Sequence, residues 1–209
     1  MKALLVALTL AGRVPLALTD VAEQAEDLYD ARDHVTASHL LARLDTALTR
    51  LAADFPANEL QAPRAALAEA RRAVERGDVS RTRIEANRLC AWAVERLGSY
   101  LPLRVIGPQR LDLLLRDVQI AAGAGAVERA APPLAEARGV WRALARLPDL
   151  AASPARIAFD RQLDAIEASI SGRDVPRLAA ASAEALEGVD ALEAALAGPV
   201  HVKAGGSHR

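Results

Sequence analysis

The residues best placed to do chemistry stand near the start of the chain. Glu23, Glu26, Asp27, Asp30 and Asp33 crowd together, and His34 follows directly. Glu26, Asp30 and His34 are spaced i, i+4 and i+8, so one continuous helix would put all three on a single face. Carboxylates with an imidazole are a ligand set for a divalent transition metal. These three are the candidate metal ligands. The pattern also predicts a helix break at Asp33, which would swing His34 off that face. The Glu-x-x-His pair that di-iron bundles use is absent. A solvated acidic face needs no metal, because negative charge near a helix start is favoured by the helix dipole.

Other chemistry has less to build on. His34 and His39 are five apart, off the i, i+4 spacing with which one helix supplies two ligands. His201 and His208 lie in the tail. Cys90 is the single cysteine, so zinc fingers and c-type haem attachment are excluded, and a buried structural thiol is expected. No Gly-x-Ser-x-Gly elbow occurs, and Gly123-Ala124-Gly125 lacks the Lys-Ser/Thr of a phosphate loop. The sequence therefore points away from an enzyme and requires no cofactor.

Arginines from Arg64 to Arg88 alternate with Glu69, Glu75, Asp78 and Glu85, the pattern of an ion-paired solvent face. No aromatic-basic interleaving suited to stacking bases appears, and the net charge is −1, so nucleic acid is not an expected partner. Trp92, Trp141, Phe55, Phe159, Tyr29 and Tyr100 are expected to fill space where helices cross. Asn87 is out of character in a helix and is expected to hydrogen-bond across the bundle.

The elements that position these residues announce themselves by a repeated pattern. Valines at Val35, Val79, Val127 and Val175 each follow a short polar turn and stand 44, 48 and 48 residues apart. A shift of 96 residues lays Ala47-Leu48-Thr49-Arg50-Leu51 on Ala143-Leu144-Ala145-Arg146-Leu147, and Asp78-Val79 on Asp174-Val175. Self-similarity kept in one register predicts internal duplication. Hydrophobic residues make up 52% but aromatics only 3%, so the core must be Leu, Val and Ala. Strand-like alternation is missing. The expected fold is all-α: an internally duplicated helical-hairpin protein of about eight helices in two up-down four-helix units.

Helices are expected over 20–32, 35–54, 58–76 and 78–97, then over 110–122, 127–147, 154–171 and 174–197. Thr19 or Asp20 should cap the first. Asp78, Ser153 and Asp174 are further capping candidates, and Gly77 is an expected helix stop. The units are expected over 20–100 and 110–197, with a linker at 101–109 and a disordered tail at 198–209.

Met1-Lys2 followed by an apolar run to Ala11 has the outline of a secretory signal peptide, expected over 1–19. The run is too short to span a bilayer. Cleavage could follow Ala11 or Thr19. The chain is thus expected to be exported or periplasmic, and cytoplasmic otherwise. The expected function is a non-catalytic helical-bundle module of the bacterial envelope, with a protein partner or small ligand in the groove between its halves. Self-association is the other form of partnership. Two alternatives remain: a metal- or cofactor-binding bundle that uses the acidic first helix, and a cytoplasmic scaffold.

Overall fold

The computed structural model describes residues 13–151 and 153–197. The expected leader therefore lies mostly, and the expected tail wholly, outside the described residues. In chain order the helices are α1 (Arg13–Asp30), α2 (His34–Leu51), α3 (Gln61–Glu75), α4 (Val79–Leu97) and α5 (Leu103–Gly123). A short 3-10 turn, Val127–Ala130, leads into α6 (Ala131–Leu144), followed by the one-turn α7 (Pro148–Ala151), α8 (Pro154–Ser171) and α9 (Val175–Leu196). No strand occurs among the described residues.

Local chemistry sets most of these limits. Asp33, Asp78 and Asp174 each accept a hydrogen bond from the backbone N–H three residues on, at 2.8, 2.9 and 3.0 Å. Ser153 caps α8 through the Ala155 N–H at 3.3 Å. Each cap satisfies one of the donors a helix start leaves open. Three helix ends share a second device. After α3, Asp78 N–H donates to Ala73 O at 2.9 Å and Gly77 N–H to Val74 O at 3.0 Å. The same pair of bonds recurs after α5, around Gly125, and after α8, around Arg173. The motif requires a left-handed residue. Gly77 and Gly125 supply it at φ +68°, whereas after α8 it is Arg173, at φ 52°. There the glycine, Gly172, stands one position too early to serve.

Several expected limits are corrected. Helix α1 already covers Arg13, and Thr19 does not cap it: its hydroxyl donates to Pro15 O at 2.9 Å, one turn back within the helix. The physical reason is burial, since Leu18 is wholly enclosed in the core. The expected linker over 101–109 is mostly helix, because α5 begins directly after Pro102. Pro108 sits inside α5, where its ring forfeits one backbone bond while its neighbours Ile106 and Leu111 gain burial. The helix expected over 127–147 starts as an α-helix only at Ala131, with Pro132 and Pro133 in its first turn.

Helix packing forms two rings. Helix α1 packs on α2 and α4, and α3 closes the first ring against both of those. In the second ring α9 packs on α5 and α8, and α6 lies between α5 and α8. The rings meet where α4 lies along α5. Two apolar cores result. Helix α5 serves both: Ile106 and Leu113 enter the first, Leu111, Leu115 and Val118 the second. A helix buried on opposite faces has to be apolar around most of its girth, as α5 is. Each core has one aromatic pair. Phe55 meets Trp92 with ring centroids 6.0 Å apart, and Trp141 meets Phe159 at 4.8 Å.

Candidate functional site

The seam between the rings is polar where α1, α4 and α5 converge. Arg116 projects from α5 with its side chain only 7% exposed. Its Nη2 lies 2.8 Å from Glu26 of α1 and its Nε 2.8 Å from Asp112, one turn back on α5. The guanidinium carbon stands 4.8 Å from the centroid of the Tyr29 ring, a cation–π distance. Tyr29 donates its hydroxyl proton to Gln119 at 2.9 Å, and its backbone carbonyl accepts from Arg83 Nε at 3.3 Å. Burial, opposed by Arg83 and Arg116, holds the Tyr29 hydroxyl above its ordinary pKa. Within the same turn of α5, Asn87 of α4 donates to Leu113 O at 3.1 Å and to Asp117 at 2.7 Å. The expected cross-bundle hydrogen bond of Asn87 is therefore present.

Beside Arg116 opens a cleft of about 280 Å³. Its walls come from both rings: Glu23 and Glu26 on α1, Asp112 on α5, Asp190 and Glu193 on α9. Among the described residues no basic one lines it. Gln109 brings a buried side-chain oxygen that accepts no hydrogen bond. Burial pushes the Asp112 carboxyl up to about 7, and Glu26, Glu193 and Asp190 add to the rise. Arg116 opposes it, yet one guanidinium does not offset lost hydration plus three like charges. Glu23 is raised as well, first by burial and then by Asp20, Asp27 and Glu26. Cys90 also lines the cleft, but burial raises its thiol so far that it stays protonated and inert as a nucleophile.

The candidate metal ligands are not brought together. Glu26 points to Arg116, Asp30 ends α1, and His34 opens α2 beyond the break at residues 31–33. The His34 ring lies 3.4 Å from the Ser38 hydroxyl instead. Among the described residues no group of three His, Cys, Asp or Glu side chains is arranged to hold a metal ion. Sequence reasoning placed Glu26 correctly in an acidic helix but missed Asp112, Arg116, Asp190 and Glu193. Asp112 and Arg116 stand at i, i+4, a pairing signal readable in the sequence. The approach of α9 to α1 is a tertiary event with no local trace.

Fold and cleft together define an all-α protein of two joined four-helix units with an acidic cleft between them. No protein-family model, no curated protein and no solved structure matches the chain significantly. A functional reading therefore rests on the residues of the cleft themselves.

Proposed function

We propose that the protein is a non-catalytic binding module whose ligand or partner seats in the cleft between its two helical units. The observation that carries this reading is the composition of the cleft. It is open, it is walled by both units, and it gathers carboxylates with no basic side chain among the described residues of its lining. Such a site attracts positive charge, of the kind an amine or guanidinium group carries. Native mass spectrometry of the protein recovered from its own cells tests it. A retained cationic adduct, lost in Glu23→Gln/Asp190→Asn, supports the reading. A bare chain that also ignores a panel of amines and basic peptides in calorimetry overturns it.

A second reading is favoured by one observation, the Asp112 carboxyl at about 7, since a group poised there can exchange protons with a bound substrate. It is weaker because, among the described residues, the cleft lining holds no histidine and no activated nucleophile.

The proposal includes export and internal duplication. The leader-like start supports export. Cleavage after Ala11 would leave α1 whole, whereas cleavage after Thr19 would remove the buried Leu18. The matching caps at Asp78 and Asp174, one in each ring, support duplication. Among the described residues no helix is long and apolar enough to cross a membrane.

A further inference from the structure

The two walls of the acidic cleft belong to different rings. Helix α1, with Glu23 and Glu26, rests on α2 and α4, whereas α9, with Asp190 and Glu193, rests on α5 and α8. The chain passes from one ring to the other once, over residues 98–102, and the line where α4 lies along α5 is the natural hinge. Polar bonds tie α1 to α5 across the joint: Glu26 to Arg116 at 2.8 Å and Tyr29 to Gln119 at 2.9 Å. Water can replace bonds of this kind, so they part more readily than a packed apolar face.

One residue sets the charge at this joint. Asp112 shares Arg116 with Glu26, each at 2.8 Å. Facing Asp112 are Glu26 of α1 and Asp190 and Glu193 of α9, and the Cys90 thiol of α4 lines the same cleft and stays protonated. Glu23 stands on the same wall as Glu26. Glu136 of α6 acts on Asp117, farther along α5. While Asp112 is neutral, the single charge of Arg116 goes to Glu26 and the tie between the rings is whole. Once Asp112 ionises, Arg116 serves two carboxylates. The one on its own helix is fixed a turn away, so Glu26, the more exposed of the two, is the one released. The new charge also repels the carboxylates of both walls, strongly so in a cavity with little water. Widening the cleft relieves that repulsion and hydrates the carboxylate. The closed cleft holds the Asp112 carboxyl at about 7, and hydration draws it back towards 3.8. Closing therefore binds a proton and opening releases one.

We propose that the cleft is an acid-closed latch: while Asp112 keeps its proton the walls from the two rings stay together, and loss of that proton lets α1 and α9 part. The latch needs no ligand and stands whether or not the cleft binds a cation.

The test is the distance between spin labels on the two walls, read by double electron–electron resonance on the full-length chain from about pH 5 to pH 8. Asp27 on α1 and Ala191 on α9 are exposed and carry the labels, attached by chemistry that spares Cys90. The ratio of a longer to a shorter distance is expected to rise about tenfold per pH unit up to about pH 7 and to level off above it, because each opening releases one proton. Asp112→Asn, which cannot ionise, is expected to keep the shorter distance throughout. Far-UV circular dichroism at each pH separates opening from unfolding. One unchanging distance in the chain with Asp112 intact would overturn the proposal, even if Asp112→Asn fails to fold. So would a pH response that persists in Asp112→Asn, or a lengthening that comes only with loss of helix.

Discussion

Arg116 and Glu26 face each other at 2.8 Å across the joint between the two rings, and their burial is unequal: 7% of the Arg116 side chain is exposed against 40% of Glu26. The guanidinium is the anchored partner. It is also held by Asp112 and lies over Tyr29, whereas Glu26 can exchange its ion pair for water.

That asymmetry sets the first prediction. Arg116→Met strands Asp112 beside Glu26 in a dry seam and should cost about 3 kcal/mol, the usual effect of removing one member of a buried pair. Glu26→Gln should cost about 1 kcal/mol or less, as for half-exposed pairs. Urea unfolding of both variants and of the double mutant measures the coupling. Equal costs for the two single changes would mean that Arg116 is not the anchor.

Asp112 makes stability depend on pH. Its folded pKa, about 7, lies above its ordinary 3.8, so the folded chain binds a proton that the unfolded chain releases. The resulting stabilisation is complete below about pH 4, declines as pH rises, and is gone above about pH 7. Asp112→Asn should therefore flatten the stability profile between these limits. Melting temperatures at half-unit steps from pH 4 to pH 8 show the effect. An unchanged slope in the variant would assign the dependence to other carboxylates.

Arg173 occupies a left-handed position that glycine fills after α3 and α5. A side chain there costs about 1 kcal/mol, so Arg173→Gly should stabilise the fold despite the greater freedom it gives the unfolded chain. Gly77→Ala should destabilise it by about the same amount. Chemical denaturation of the two variants should move in opposite directions.

How much of this was legible in the sequence follows from where each signal lives. The caps at Asp78, Ser153 and Asp174 and the stop at Gly77 are made by neighbours in the chain, so residue type alone locates them. The expected linker failed because Pro108 reads as a breaker, and only the two cores that flank α5 explain why that helix runs through it. The early start of α1 was hidden for a related reason. An apolar run with one arginine looks alike as a leader and as a buried helix until Leu18 is seen inside the core. Of the candidate metal set only Glu26 lies at the cleft, because Asp33 caps a new helix and turns His34 away. The cleft needs α9 to face α1 across the joint of the two rings, which no local pattern encodes.

The start of α1 leads to a last prediction. Chains beginning at Arg13 and at Asp20 differ by about two turns of helix that carry Leu18 and Thr19 into the core. The Arg13 form should unfold at the same urea concentration as the full chain. The Asp20 form loses a fully buried leucine and should be weaker by at least 3 kcal/mol, the scale of a large core deletion. Sequencing the amino terminus of the protein taken from its own cells then becomes informative. A start at Gly12 or Arg13 fits an exported chain with its core complete. A start at Asp20 together with undiminished stability would mean that Leu18 contributes nothing to the first ring.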